Sequence, residues 1–186
     1  LTLHRRNAES LELLEIMALE LGEDRSHAQA PRAMPFEAVR DFFFAHQNYF
    51  DELDRAAESL AAQVRGQGDS LTDWLVRRLK EDHGVQVLMS ADTQESKRRY
   101  DPADRSLRLS SGLHRSQQAF QLGTQLALLE AGGLIDALIA VPPFTTDPAS
   151  RKLARIGLAN YFARALLLPY AQFLQAAQSL RYDPEL

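Results

Sequence analysis

Between residues 36 and 64 the side chains Phe36, Val39, Phe43, His46, Phe50, Leu53, Ala57, Leu60 and Val64 recur at alternating steps of three and four. That interval straddles the 3.6-residue helical turn, so the spacing predicts one long helix over 35–65 with a narrow apolar seam. A seam of this kind must be covered, either by another helix of the same chain or by a second subunit. Gly66 and Gly68 end the pattern.

Around this segment the chain divides readily. Asn7 can cap a helix carrying Leu11, Leu14, Ala18 and Leu21, which Gly22 closes. Residues 23 to 35, polar and punctuated by Pro31 and Pro35, read as a linker, so 1–34 is expected to be an amino-terminal helix and linker and 35–186 the main domain. Ser70 and Asp73 form a capping-box pattern before a helix with Leu71, Trp74, Leu75 and Leu79, stopped by Gly84. Val85, Val87 and Met89 alternate with Gln86, Leu88 and Ser90 as in a strand. Asp101-Pro102-Ala103-Asp104 sets a turn between two extended runs, a hairpin. From His114 the pattern is helical again apart from "VPPFTTDP", with Asp147 as cap and Pro148 as first residue of a helix that Pro169 interrupts. The fold class expected is α+β, mainly helical with a small antiparallel sheet.

Composition narrows the function classes. A chain of 186 residues with 45% hydrophobic content can build a core. The net charge of −4 and the lack of a long basic run argue against direct nucleic-acid contact by this segment. The absence of cysteine excludes disulfides and thiolate metal sites. No apolar run approaches the ~18 residues of a membrane span, and no signal peptide is seen. Opening on Leu1 rather than Met, the chain is expected to be a piece of a longer protein.

Two segments carry a resemblance. "FQLGTQLALL" resembles the metal-binding helix of the ImmA/IrrE-type metallopeptidases, in which Phe-x-Leu-Ala precedes His-Glu-Leu-Gly-His. "LANYFARALLLP" resembles their later helix, Glu-Ala-Asn-x-Phe-Ala-x-x-Leu-Leu-Met-Pro. Phe120, Leu122 and Leu126 keep the first pattern, while Thr124 and Leu128 stand at the two His positions and Gln125 at the Glu position. Ala159, Asn160, Phe162, Ala163, Leu166, Leu167 and Pro169 keep the second, with Leu158 at the acidic ligand position. Zinc catalysis requires three nitrogen or oxygen ligands and a general base. A hydroxyl, an amide and two leucines supply neither, so no metal site and no enzyme activity are expected. His4, His27, His46, His83 and His114 are scattered without a spacing that suggests another nucleophile-base pair.

"RRYD", "FQLGTQLALLE" and "LARIGLANYFARALLLPY" in that order are similar to the sensor portion of PrpR/RamB-like short-chain fatty acyl regulators, over roughly residues 35 to 182. The resemblance implies a degenerate zincin-like core over 69–182. It also implies an Xre-type transcription factor with its helix-turn-helix outside this chain, and a cytoplasmic protein whose effector is propionyl-CoA or acetyl-CoA. For a regulator of two-fold operators the seam over 35–65 also suits a homodimer.

An acyl-CoA requires cations for its phosphates and a narrow lined pocket for its acyl-pantetheine end. Lys97, Arg98, Arg99, Arg105, Arg108 and Arg115 fall within nineteen residues containing only Asp101 and Asp104 as acids. They form either a solvated hairpin or a phosphate site, with Arg98 and Tyr100 on one strand face and Arg99 on the other. Leu153, Ile156, Asn160, Ala163 and Leu167 form one helical stripe with an amide at its centre. That amide either bonds a neighbouring backbone or addresses the pantetheine amides or thioester. Gly157, Ala159 and Ala163 fit close helix packing or a slot equally. Phe120, Gln121 and Thr124 would face the former metal cleft, unless it has collapsed onto Leu128 and Leu158. Tyr161 and Arg164 are candidates for stacking and phosphate contact.

Overall fold

The computed structural model describes residues 34–65, 70–91 and 97–168, so the helix expected over 7–22 and the break expected at Pro169 lie outside the described residues. Elements in order are α1 (Pro35–Ala45), α2 (Asp51–Arg65), α3 (Leu71–His83), β1 (Gln86–Ser90), β2 (Arg98–Asp101), β3 (Ser106–Ser110), α4 (Arg115–Glu130), α5 (Gly132–Leu138) and α6 (Pro148–Leu167). They divide into two compact units.

The first unit contains the described residues up to Phe50 together with Ile135–Leu158. Its buried side chains include Val39, Phe42 and Phe50 from the first segment and Ile135, Ile139 and Phe144 from the second. Phe42 meets Phe144 edge-on at 5.1 Å and stacks with Phe50 at 5.6 Å, favourable geometries for aromatic quadrupoles. Asp147 begins α6 as expected: its carboxylate accepts from the Ser150 amide at 3.0 Å and the Ala149 amide at 3.3 Å. On the surface Asp136 binds Arg151 at 2.9 Å and Arg155 at 3.4 Å.

The second unit contains Asp51–Leu134 and the described residues from Ala159 onward. α2 buries Leu53, Ala57, Leu60 and Val64, the carboxy-terminal half of the seam. Ser70 caps α3, its hydroxyl accepting from the Asp73 amide at 3.3 Å, and Gly84 closes the helix at φ +65°. A side chain there would be strained, which is why glycine stands at this stop.

The seam does not form one helix. Gln47 and Asn48 both have φ of 54°, incompatible with a right-handed helix, and they separate α1 from α2. The amides of Gln47 and Asn48 donate to the carbonyls of Phe44 and Phe43 at 2.9 and 2.8 Å, closing α1 with a left-handed turn. His46 lies exposed at this corner, its Nδ1 2.8 Å from the Phe42 carbonyl and its ring stacked on Phe50. In the first unit Phe42 takes the core position that the spacing gave to Phe43.

The sheet has the order β1-β3-β2 and is mixed, not antiparallel throughout. The expected hairpin is present: β2 and β3 are antiparallel, with Arg98 opposite Leu109 and Tyr100 opposite Leu107. Its turn is held by Asp101 accepting from the Ala103 amide at 2.9 Å, and Arg105 completes it at φ 53°. β1, however, runs parallel to β3, with Val87 beside Leu107 and Leu88 beside Arg108. The antiparallel hairpin occupies one side of β3, and β1 takes the other. The central strand is the buried one, with Leu107 and Leu109 fully covered.

Candidate functional site

α4 starts after His114, whose amide is bound by the Gln117 side chain at 2.9 Å, and Gln118 donates to the Leu113 carbonyl at 2.8 Å. Ala119 and every residue from Gln121 to Ala127 are buried. A helix covered all round is normally apolar. Here the buried run includes Gln121, Thr124 and Gln125, and each buried polar group must find a partner or cost stability.

Two of them do so by binding other elements. The Thr124 hydroxyl lies 2.9 Å from the Phe120 carbonyl and 3.1 Å from Oδ1 of Asn160. Thr124 is 1% exposed and Asn160 4%, so the contact between α4 and α6 is dry. One hydroxyl proton serves one acceptor. With the Asn160 amide turned about its terminal bond, its NH₂ donates to Thr124 while Thr124 donates to Phe120, so each of the two contacts has its own proton. The next residue, Gln125, is 2% exposed and accepts from Nη1 of Arg98 on β2 at 2.8 Å. Consecutive residues of α4 thus tie it to α6 and to the sheet.

Small residues permit this closeness. A Cβ on Gly123 would lie 3.3 Å from the Cβ of Ala163 and 3.7 Å from Leu166, so the α4 backbone rests almost directly on α6. Of the two uses expected for Ala163, close helix packing is the one seen.

The remaining candidates are dispersed. Arg98 and Arg99 do point to opposite strand faces. Arg99 stands directly opposite Arg108, and both are exposed. Asp104 lies near enough to Arg108 for that charge to help hold its carboxyl below the ordinary value, behind the larger effect of its hydrogen bonds with Ser106. Tyr100 is half-buried on the Arg98 face. Arg115 is exposed at the start of α4 and pairs with Asp73 at 3.2 Å, which holds the Asp73 carboxyl below its ordinary value together with the Ser70 hydrogen bond, the larger cause. Phe120 is half-buried and Gln121 buried. Tyr161 hydrogen-bonds Asp54 of α2, away from the Thr124–Asn160 pair. Burial, aided by repulsion from Glu58 and Asp51, nonetheless raises the Asp54 carboxyl. Arg164 is exposed.

A second charged group closes the far end of α4. Glu130 accepts from Arg78 and binds His83, both at 2.9 Å. Burial pushes its carboxyl up, but the hydrogen bonds from Arg78 and His83 outweigh this and hold it below the ordinary value.

At the positions that would hold zinc in the metallopeptidase pattern stand Thr124, Leu128 and Leu158, with Gln125 in place of the base. Leu158 is fully buried. This donor set does not fit a zinc ion, which takes imidazole, thiolate or carboxylate. Gln125 is the residue that sequence reasoning undervalued as a site member. Its signal was a second amide in a helix otherwise expected to be buried.

Comparison with known proteins agrees with this architecture. The family model described as the IrrE N-terminal-like domain matches residues 80–186. The HTH-type transcriptional regulator RamB of Mycobacterium tuberculosis is 45% identical over 184 residues, which are 98% of this chain and 38% of that protein. The HTH-type transcriptional regulator PrpR of the same organism is 42% identical over 156 residues, 83% of this chain and 32% of its own length. The propionyl-CoA carboxylase regulator of Cereibacter sphaeroides is 39% identical over 187 residues, covering all of this chain and 38% of the relative. A solved chain described as a Mycobacterium tuberculosis transcriptional regulator superposes with a TM-score of 0.69 at 41% identity, over 81% of this chain and 46% of that one. The chain therefore spans less than two fifths of these curated relatives, and it belongs to the IrrE N-terminal-like domain family in its PrpR/RamB-like form.

Proposed function

We propose that this chain is a non-catalytic regulatory domain that binds a short-chain acyl-CoA, propionyl-CoA or acetyl-CoA, and controls a helix-turn-helix DNA-binding domain lying outside this sequence. In this reading the protein is a cytoplasmic homodimeric regulator with no catalytic cofactor. The observation that carries it is the use made of the peptidase-like helix. Thr124 and Gln125, at the positions of a metal ligand and a general base, hydrogen-bond Asn160 and Arg98. Such groups cannot hold an ion or activate water, but they form a strut whose geometry a ligand can shift. The opposed Arg99 and Arg108 offer charge for the nucleotide phosphates. Phe120, Gln121, Thr124, Asn160 and Tyr100 are the groups assigned to the acyl-pantetheine end, with Arg115, Tyr161 and Arg164 at the margins. The names of the relatives, one of them a propionyl-CoA carboxylase regulator, support the effector class. No helix among the described residues is long and apolar enough to cross a membrane.

The test is calorimetric titration of the chain with propionyl-CoA, acetyl-CoA and free CoA. Saturable heat with an acyl-CoA is expected, weakened at least tenfold by Arg99→Ala combined with Arg108→Ala. No heat with any of the three at millimolar concentration removes the ligand. One observation favours a second reading, a dimerisation module without effector: Thr124 and Asn160 already hydrogen-bond each other. That reading predicts silent titrations and a chain that still self-associates.

A further inference from the structure

We infer that the outer edge of β1 is an interface for a second copy of this chain, formed by antiparallel pairing of two β1 strands about a two-fold axis at Leu88. Among the described residues β1 has a strand neighbour on one side only. The Gln86 amide donates to Arg105 at 2.9 Å and the Ser90 carbonyl accepts from Ser111 at 2.8 Å, so the even-numbered residues of the strand face β3. In a parallel ladder the amides and carbonyls of the alternate residues, Val87 and Met89, then point outward.

The two edges of this sheet are treated differently. β2, at the far edge, has three charged residues in four, Arg98, Arg99 and Asp101, the usual protection against edge-to-edge pairing. β1, Gln-Val-Leu-Met-Ser, has no charge and no proline. Leu88 and Met89 lie on opposite faces of the strand and are 41% and 52% exposed, so apolar surface is offered on both sides of the edge. The polarity of the strand is also palindromic: polar at both ends, apolar at the three positions between.

That palindrome selects the occupant. In an antiparallel pair centred on Leu88, Val87 of each copy lies opposite Met89 of the other, and these are the residues with outward backbone groups. Each such pair exchanges two hydrogen bonds, while Leu88 faces Leu88 in the closer, non-bonded position. Gln86 falls opposite Ser90. No charge opposes a like charge within the strand pair, and every outward group finds a partner. A five-residue edge buries less than the roughly 1,200 Å² of a standard interface, so the association is weak and depends on concentration. It is independent of acyl-CoA binding.

The absence of cysteine in this chain gives a direct test. Non-bonded antiparallel positions place Cα atoms about 4.5 Å apart, within disulfide reach. Leu88→Cys is therefore expected to cross-link to a homodimer under mild oxidation, at least tenfold faster than Lys80→Cys on exposed α3. Sedimentation of the unmodified chain is expected to rise with concentration from 20.9 kDa toward twice that mass. Val87→Pro removes one outward amide that β3 does not use, and it should abolish the rise while leaving the circular dichroism unchanged. A chain that stays monomeric with Leu88→Cys no faster than Lys80→Cys overturns the proposal. So does a dimer indifferent to Val87→Pro, or an edge that binds a foreign extended peptide without pairing with itself.

Discussion

Thr124→Val tests whether the α4–α6 contact is an energetic unit. The change keeps the shape of the side chain and removes a hydroxyl that is 1% exposed and 3.1 Å from Asn160. Asn160, 4% exposed, then loses its partner in a dry site, at a cost of about 1–3 kcal/mol. For a domain of this size 1 kcal/mol moves the melting temperature by roughly 2–4 °C, so a drop of roughly 4–8 °C is expected from the middle of that range. Asn160→Leu costs less, because Thr124 keeps its bond to the Phe120 carbonyl at 2.9 Å. The double variant removes both members of the pair and should be hardly worse than Thr124→Val alone, giving a coupling of about 1 kcal/mol or more. The assay is urea unfolding of the four proteins at a common m-value. Losses that add to within about 0.5 kcal/mol would refute the pairing and, with it, the strut on which the regulatory reading rests.

Other perturbations follow from the same structure. Gln125→Leu leaves the Arg98 guanidinium without its amide acceptor and should destabilise by about 1–3 kcal/mol in the same unfolding assay, whereas Arg99→Ala on the exposed face should stay within about 0.5 kcal/mol. Because Glu130 titrates below its ordinary 4.5 in the folded chain, its contribution is present above that pH and is lost as pH falls through the folded value. Glu130→Gln should therefore flatten the acid limb of stability against pH, read by thermal melts from pH 7 to 3, and an unchanged limb would contradict the Arg78–Glu130–His83 contact. Asp147→Ala removes the cap of α6 and should cost about 0.5–2 kcal/mol, largely restored by Asp147→Asn.

Local signals in the sequence were reliable where one residue decides a boundary. Ser70, Gly84, Asp147 and the Asp101–Asp104 turn all act as their chemistry requires, and the opposed faces of Arg98 and Arg99 follow from strand alternation alone. The long helix failed because the three-and-four periodicity continues through His46, Gln47 and Asn48, and hydrophobic spacing does not record the sign of φ. The direction of β1 was hidden for another reason. A five-residue strand alternates identically whether its neighbour is parallel or antiparallel, and only packing chooses. At the site, the polar residues of α4 could be seen, but not their partners: Asn160 is 36 positions from Thr124 and Arg98 is 27 from Gln125. Tyr161 went astray because one helical step separates Asn160, which faces α4, from a residue that binds Asp54 on α2.

Leu158, Thr124 and Gln125 are all at or near zero exposure, and this makes the chain's departure from the peptidase pattern hard to retrace. A carboxylate at 158 would be an uncompensated buried charge until an ion arrived to neutralise it. An imidazole at 124 would overfill the space beside Gly123 and Asn160 until the helices moved apart. A carboxylate at 125 alone would be matched, because Arg98 already donates to this position at 2.8 Å. The replacements at 158 and 124 each lower stability alone and neither is rewarded before the other is in place, so the peptidase pattern cannot be written into this core one residue at a time without passing through less stable chains.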